Sequence, residues 1–230
     1  MAFRWEDARE RARNHAVLVI DTLRATTTIV GLLQKGASRV LACPTVEDAF
    51  RHRVVWPDAV LGGERNNRAP KGFDAGNSIF EYSEAMLAGR SVIFTTTNGT
   101  QAIEAVAKTA SWVGLACLRN REMAGIFQQR QSDEGLLVCA GTAGAVSWED
   151  TITAGAVVDT WPPHTWTDGA RLAWTAFNQH RDDLLVGILA SSHARVLEES
   201  GMGRDIEYAA ELDASQVMPV RDTKGWFVAK

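Results

Sequence analysis

The amino-acid sequence predicts an α/β fold, a three-layer α/β/α arrangement around a mostly parallel sheet. Short β-branched and apolar runs alternate with helical patterns through the first two-thirds of the chain. This spacing is typical of βαβ units, which cover both faces of a parallel sheet with helices. After the breaker Trp161-Pro162-Pro163, helical patterns continue without that alternation. The last third is therefore predicted to be more helical.

Six apolar runs are predicted to form the strands. They are rich in Val, Ile and Leu and lie between helical patterns or turn residues, as strands of a buried sheet do. In chain order they are Val17–Ile20, Arg39–Ala42, Val60–Leu61, Ser91–Thr97, Trp112–Cys117 and Leu136–Cys139.

Helical patterns occupy the segments after these runs. Gly36 lies just past the first pattern, where glycine commonly ends a helix. The predicted helices are Ala25–Gln34, Val46–Arg53, Ser83–Leu87, Gln101–Lys108, Glu122–Gln129 and Trp148–Asp159. Most of them connect one strand to the next, which is the connection that parallel strands require.

The C-terminal part, residues 161–230, is predicted to be helical and to pack on the sheet. Its apolar spacing predicts helices over Gly169–Ala190 and Ser192–Glu199. Val217–Val220 and Trp226–Ala229 are predicted to pair as a terminal hairpin.

Length and composition point to one domain. The chain has 230 residues, 46% hydrophobic and 23% charged, which is close to the average globular domain. A chain of this size buries roughly 70% of its unfolded surface. We therefore expect residues 1–230 to form a single domain, with residues 1–16 as a solvated leading helix.

Charge and cysteine use narrow the class of protein. Twenty-four Lys and Arg against 28 Asp and Glu give a net charge of −4, without the basic stripe that nucleic-acid binding requires. No apolar run approaches the roughly 18 residues of a membrane-spanning helix. Cys43, Cys117 and Cys139 lie in or at the ends of apolar runs, as reduced buried thiols do, so we expect a cytoplasmic protein. A homodimer is expected from base rates alone.

Polar residues stand where four predicted strands end. The first strand delivers Asp21 and Arg24, the third leads into Gly62–Asn67, the fourth into Thr95–Thr100 and the sixth into Cys139–Gly144. Ligands of open α/β sheets bind outside the carboxyl ends of the strands. These segments therefore predict a binding site at that edge.

The segment Thr95–Thr100, TTTNGT, is the motif most suggestive of anion binding. Backbone N–H groups, hydroxyls and the helix dipole at such a strand–turn–helix junction attract an anion. A plain structural connection is the alternative. The familiar nucleotide-phosphate motifs GxxxxGK[ST] and GxGxxG are absent. The candidate phosphate-binding residues are Thr96, Thr97, Asn98, Gly99 and Thr100, with Arg65, Asn66, Asn77 and Ser78 from the loop after the third strand.

Three acidic residues each have a functional and a structural interpretation. Asp21 is a metal ligand, a nucleophile for a phosphoryl group, or a helix N-cap. Asp150 is a metal ligand or, with Ser147, half of a capping box. Asp74, in GFDAG, is a proton donor or an Asx-turn residue.

A cysteine and a histidine also remain open. Cys139 is a thiolate nucleophile facing a helix N-terminus, or an inert buried thiol. His193, at a predicted helix start, is an acid–base group or a structural residue. The five histidines show no metal-ligand spacing, so we do not expect zinc.

Hard oxygen donors beside cationic side chains indicate phosphoryl chemistry. Asp21, Glu64 and Asp150 are ligands of the kind that Mg²⁺ prefers. Arg24 and neighbouring basic residues would hold the remaining oxyanions. This combination of residues implies phosphoryl chemistry at a site suited to Mg²⁺, and no more than that.

Several long segments resemble the 2-phosphosulfolactate phosphatase family. They are DTLRATTTIV from Asp21, GGERNNRAPKGFDAGNS from Gly62, TTTNGTQAI from Thr95 and CAGTAGAVSWEDTITAG from Cys139, followed by SSHARVL and DIEYAAELD. They occur in the order of the family and span about residues 17–220.

The resemblance implies a Mg²⁺-dependent acid phosphatase for phosphate esters of 2-hydroxy carboxylic acids. The namesake reaction converts (2R)-O-phospho-3-sulfolactate and water into (2R)-3-sulfolactate and phosphate, in coenzyme M biosynthesis. A broader phosphatase acting on phosphoglycolate and phospholactate is one alternative. A phosphate-ester binding protein without turnover is another.

This resemblance and the residues together give a working mechanism. Mg²⁺ is expected on Asp21 with Glu64 or Asp150, while Arg24 and the TTTNGT turn stabilise charge on the phosphoryl oxygens. Attack comes from Asp21 or from water. His193, or alternatively Asp74, is expected to protonate the leaving alkoxide.

Overall fold

Eight strands form one mixed, mostly parallel sheet in the computed structural model, which describes residues 1–132 and 134–230. The six predicted strands and the predicted terminal hairpin are all present, and the α/β class is confirmed. The strands are β1 (Ala16–Ile20), β2 (Arg39–Ala42), β3 (Val60–Gly63), β4 (Ser91–Thr95), β5 (Trp112–Ala116), β6 (Gly135–Cys139), β7 (Pro219–Arg221) and β8 (Trp226–Ala229).

Helices cover both faces of the sheet. In the part of the chain that the structure describes, none combines the length and apolar character needed to cross a bilayer. The α-helices are α1 (Ala25–Gln34), α2 (Val46–Val55), α3 (Glu84–Leu87), α4 (Gly99–Ala107), α5 (Arg121–Gln131), α6 (Trp148–Val158), α7 (Asp168–His180), α8 (Leu184–Leu189), α9 (Ser192–Glu199) and α10 (Gly203–Ala210).

The sheet consists of two parallel halves joined by an antiparallel hairpin. Its strand order is β3-β4-β2-β8-β7-β5-β1-β6. Strands β3, β4 and β2 are parallel to one another, as are β5, β1 and β6. The hairpin β7–β8 pairs antiparallel with β2 on one side and β5 on the other. Three antiparallel steps separate the halves, so the two halves run in opposite directions.

One apolar core is shared by both halves. Val19 of β1 and Phe94 of β4 belong to the same buried cluster, together with Ile29 of α1 and Ile103 of α4. The opposite face of β1 packs, through Leu18 and Ile20, into a second core formed with α6 and α7. Because α1 and α4 pack on the shared face, the loops after β1 and β4 are brought into contact.

The prediction of a solvated leading helix over residues 1–16 is wrong. This segment holds a single turn of 3₁₀-helix, Trp5–Asp7, followed by turns. Ala2 pairs with Val138 of β6, while Ala8 and Ala12 are completely buried. The small alanines let the segment lie flat on the core, which a solvated helix would not do.

The prediction of one helix over Gly169–Ala190 is also wrong. The chain leaves α7 at Arg181, and Asp183 then accepts a hydrogen bond from the backbone N–H of Val186 to cap α8. An aspartate favours such an N-cap over a helix interior. Helix α10, which buries Ile206 and Ala209, is absent from the predicted elements.

Candidate active site

The loops after β1 and β4 meet at the Asp21 side chain. Asp21 Oδ1 accepts a hydrogen bond from the backbone N–H of Ala25, 3.1 Å away, at the start of α1. The N-cap interpretation of Asp21 is nevertheless wrong, because the N-cap residue of this helix is Arg24. The Thr26 hydroxyl donates to the Asp21 carbonyl and fixes the backbone. Gly99 lies so close that a Cβ atom there would be 2.5 Å from Asp21 Oδ2. Glycine is therefore required where the TTTNGT turn approaches this carboxylate.

Glu149, which the sequence analysis did not select, joins this site from α6. Its side chain is 2% exposed. Oε1 accepts a hydrogen bond from the Ser147 hydroxyl at 3.3 Å and lies 3.5 Å from Nδ1 of His193. The sequence does show two adjacent acids at the start of this buried helix, but the predicted site contains only the second, Asp150.

The charges of these residues perturb one another. Burial raises the pKa of Asp21 to about 6, with Glu149 and Glu64 adding to the rise and His193 opposing it. Burial lowers the pKa of His193, but Glu149 and Asp21 outweigh it, so the net pKa lies above its ordinary value of 6.5. Perturbed groups clustered at the carboxyl edge of a sheet are typical of an active site.

Asp150 fastens two loops together. Its Oδ1 accepts from the backbone N–H of Thr22 at 2.8 Å, and its Oδ2 accepts from that of Gly141 at 3.1 Å. Burial, then the neighbouring charges of Glu149 and Asp21, raises its pKa well above the ordinary value. The capping-box interpretation is wrong, because the Ser147 side chain makes no capping hydrogen bond.

Glu64 plays a similar part on the other half-sheet. Its Oε1 accepts from the backbone N–H of Thr97 at 2.7 Å, and its Oε2 from that of Asn67 at 3.0 Å. The carboxylate thereby joins the β4 loop to a two-residue hairpin turn. Both central residues of this turn, Asn66 and Asn67, have positive φ, which asparagine tolerates. Both predicted partners of Asp21 in metal binding, Glu64 and Asp150, thus have each oxygen engaged by backbone amides.

Arg65 is turned away from a ligand. Its guanidinium donates to the carbonyl oxygens of Glu64 and Pro44 and to the Thr95 hydroxyl. Its predicted role in phosphate binding is therefore not supported, because these guanidinium donors are already hydrogen-bonded to groups of the protein. Asn66 is exposed at the tip of its turn.

The remaining residues of the TTTNGT motif form a braced helix start. The Thr96 hydroxyl accepts from the Thr100 backbone N–H, and the Thr100 hydroxyl accepts from the Thr96 backbone N–H. Thr97 is exposed and Asn98 half-buried beside them. These two hydrogen bonds hold the turn in place beside Asp21.

Arg24 has a buried donor that is not used within the described residues. Its side chain is 4% exposed, and Nη1 donates to Asp205 Oδ2 at 2.8 Å. Nη2 is buried without a hydrogen-bond partner among the described residues, and so is Oδ1 of Asn77. Each such atom costs about 1–3 kcal/mol unless a ligand or water satisfies it. The charge of Arg24 also acts on His193. An unpartnered guanidinium N–H near the acidic cluster fits an anionic ligand.

Two alternative candidates lie outside this arrangement. Asp74 accepts hydrogen bonds from the backbone of Leu61 and from Arg53, which lower its pKa although burial opposes them. A carboxyl with a lowered pKa is a poor proton donor at neutral pH. Cys139 is completely buried, and burial raises the pKa of its thiol well above 9.0. Neither side chain supports its predicted catalytic role.

The donor set fits a hard divalent cation held with few protein ligands. Within residues 1–132 and 134–230, no three His, Cys, Asp or Glu side chains form a ready metal cluster. Mg²⁺, however, is usually held by one or two carboxylates plus substrate phosphate. Asp21 and Glu149 are desolvated, and neither Asp21 Oδ2 nor Glu149 Oε2 accepts a hydrogen bond from the described residues. Asp21 with Glu149 suits this ion better than the predicted Asp21 with Glu64 or Asp150.

Buried carboxylates, a histidine with a raised pKa and an arginine with one free donor, gathered after β1 and β6, are typical of the active site of an α/β enzyme. Residues 3–224 match the family model described as 2-phosphosulpholactate phosphatase. The chain belongs to the 2-phosphosulfolactate phosphatase family and is a phosphoric monoester hydrolase. The resemblance seen in the sequence motifs is thereby confirmed.

Individual relatives cover most of the chain and most of their own length. A protein of Deinococcus radiodurans named "Probable 2-phosphosulfolactate phosphatase" is 41% identical over 206 residues, which are 88% of this chain and 85% of the relative. One of the same name from Thermotoga petrophila is 37% identical over 217 residues, 93% and 91% of the two chains. A third, from Thermus thermophilus, is 36% identical over 211 residues, 89% and 86% of the two chains.

Proposed function

We propose that this enzyme hydrolyses (2R)-O-phospho-3-sulfolactate to (2R)-3-sulfolactate and phosphate with the help of Mg²⁺. The observation that supports the proposal most directly is the buried cluster of Asp21, Glu149 and His193, with the unpartnered Nη2 of Arg24 nearby. The names of the relatives support the substrate.

The charge balance of the site supports a divalent cation. The substrate carries phosphate, carboxylate and sulfonate groups. The buried carboxylates of Asp21, Glu64 and Glu149 would repel it, and the Arg24 charge is already paired with Asp205. Mg²⁺, when bound, supplies the positive charge that draws the phosphate oxygens in and stabilises charge developing on them. Asp21 and Glu149 are the residues that would hold it.

Each residue of the site then has its own role in the hydrolysis. Arg24 Nη2 donates to a phosphoryl oxygen, and the Thr96–Gly99 turn presents its backbone to the same group. In a covalent route, Asp21 forms a bond to phosphorus as the bond from phosphorus to the ester oxygen breaks, and water later releases phosphate. In a direct route, a water oxygen forms the bond to phosphorus as that same ester bond breaks, and a proton of the water stays on the released phosphate. In both routes the His193 imidazolium gives its proton to the leaving alkoxide.

The first test is phosphate release from phosphosulfolactate, phospholactate and phosphoglycolate, each with Mg²⁺ and with EDTA. Metal-dependent release confined to phosphosulfolactate supports the proposal. Release from all three substrates makes the enzyme a general phosphatase of 2-phospho-hydroxy acids. Binding without release from any of them identifies a binding protein and overturns the proposal.

Substituting His193→Gln is expected to lower kcat/KM for phosphosulfolactate about 100-fold or more, because the alkoxide then leaves unprotonated. The enol phosphate of sulfopyruvate has the same three anionic groups but a less basic leaving group, so its turnover should fall much less. In the wild type, kcat/KM should also decline as pH rises through the pKa of His193, and this decline should disappear in the variant. His164→Gln, at an exposed position, is the control. Equal losses for both substrates would contradict a proton-donating role.

Addition of Mg²⁺ is expected to raise the melting temperature, because the ion compensates the desolvated carboxylates. At a free concentration 100 times Kd, the rise should be roughly 5–10 °C for a chain of this size. Glu149→Ala should lose most of it. Asp74→Ala, which removes a carboxylate bound to Arg53, should retain it. Differential scanning calorimetry measures both, and an equal rise in the two variants would rule out Glu149 as a ligand.

A further inference from the structure

We propose that Asp205 of α10 is a positioning residue that holds Arg24 so that Nη2 stays available for the anionic groups of the substrate. The inference rests on the proposed function for the identity of the substrate. Its physical content is narrower, namely that one carboxylate fixes the direction of one guanidinium.

The two side chains form a monodentate pair, with one hydrogen bond between them. Asp205 Oδ2 accepts from Nη1 of Arg24 at 2.8 Å, and Met202 Sδ lies 3.0 Å from the same nitrogen. Nη2 takes no part in this pairing and has no hydrogen-bond partner within the described residues. A bidentate pair would have consumed both terminal nitrogens. The monodentate geometry leaves Nη2 as a charge-assisted donor for a ligand.

The second oxygen of Asp205 is also committed. Oδ1 accepts from the Ser78 hydroxyl at 2.7 Å, so the carboxylate cannot rotate to take up both nitrogens of Arg24. Ser78 follows Asn77, whose buried Oδ1 is likewise unpartnered. Asp205 therefore ties the loop after β1 to the loop that precedes α3. Because Asp205 accepts hydrogen bonds from both Arg24 and Ser78, it places the predicted substrate-binding residues Asn77 and Ser78 close to Arg24.

The pair is buried and electrically neutral. Arg24 is 4% exposed and Asp205 5%. An arginine buried to this degree without a counter-charge would be strongly unfavourable. Asp205 removes that cost while preserving the ionised character of the donor. It comes from a helix 181 residues further along the chain, so the C-terminal helices supply part of the site rather than only covering it.

The test is a double-mutant cycle between Asp205 and Arg24, with two readouts. Asp205→Asn is expected to raise KM for the phosphate ester, and Kd for inorganic phosphate measured by calorimetry with Mg²⁺, by 10-fold or more. The effect on kcat should be smaller. In an Arg24→Lys background, whose side chain has no Nη2 to direct, the same substitution should change both quantities less than threefold. Glu207→Gln, exposed on the same helix, is the control.

The alternatives give different results. Equal losses from Asp205→Asn in both backgrounds would mean that Asp205 acts only on stability, and would overturn the inference. So would a wild-type protein that does not bind phosphate with Mg²⁺. If the wild type binds phosphate but hydrolyses none of the esters, the proposed function fails while the calorimetric cycle still decides the role of Asp205. Thermal melts of each variant identify any that fail to fold, and in that case Asp205→Glu replaces Asp205→Asn in the cycle.

Discussion

Replacing Asp21 with asparagine is expected to abolish phosphate release and, without metal, to raise the melting temperature. Activity should fall about 10³-fold or more, since the carboxylate either attacks phosphorus or holds the cation. Stability should rise because burial raises the pKa of Asp21 from 3.8 to about 6, so the ionised form opposes folding. Two pKa units correspond to roughly 3 kcal/mol.

The pH dependence of this stabilisation has a definite sign. A carboxyl whose pKa is raised in the folded state favours folding fully below pH 3.8 and loses that contribution as pH rises through about 6. The difference in melting temperature between Asp21→Asn and the wild type should thus be larger at pH 8 than at pH 5. Asp58→Asn, at an exposed position, should change neither activity nor melting temperature. A less stable Asp21→Asn variant, or one with full turnover, would contradict the assignment.

Substituting Gly63→Ala is expected to be the most damaging single methyl addition in the sheet. Gly63 has φ of 128°, and a Cβ atom there would lie 1.9 Å from the carbonyl oxygen of Thr95. Both residues belong to the β3–β4 ladder, where they are register partners, so neither backbone can move aside. Overpacking and backbone strain together should cost roughly 3 kcal/mol or more.

A matched control separates collision from conformation. Gly36 also has positive φ, 99°, but a Cβ atom there would meet nothing within 4 Å. Gly36→Ala should therefore cost only the conformational part, about 1 kcal/mol. Urea denaturation of both variants measures the difference. Equal destabilisation would show that contact with Thr95 is not the cause.

Local sequence signals predicted most elements because the relevant physics is local. The helix Ala25–Gln34 and the strand Arg39–Ala42 agree with the structure residue for residue. Gly36 between them ends the helix at low cost, since glycine adopts the positive φ found there. The break between α7 and α8 is not predicted because the apolar spacing is helical on both sides of Asp183. The capping hydrogen bond of Asp183 does not alter that spacing.

The opposed direction of the half-sheets lies beyond local signals. The β7–β8 hairpin was predicted, but its insertion between β2 and β5 depends on contacts between segments far apart in sequence. The alternation of apolar residues predicts that a strand is buried, but it does not predict which strand pairs with it.

The site was predicted in part, for a similar reason. Asp21 and the TTTNGT turn both lie at strand ends, but they belong to opposed half-sheets, and they meet because α1 and α4 pack together on the shared face. Glu149 and Asp150 are neighbours in sequence, yet successive side chains on a helix point about 100° apart. One therefore faces His193 and the other ties two loops together. Asp205 pairs with Arg24 only because the fold places α10 beside the loop after β1, and no spacing in the sequence predicts that contact.

The order of strands also determines when the molecule can be completed during synthesis. The central pair, β7 and β8, comes from residues 219–229, after every other strand. Until those residues leave the ribosome, β2 and β5 are the unpaired inner edges of two separate half-sheets. Unpaired edges of this kind invite pairing with other chains. The nascent protein thus carries two such edges through translation, and closing the sheet between them is a step that follows emergence of the last strands.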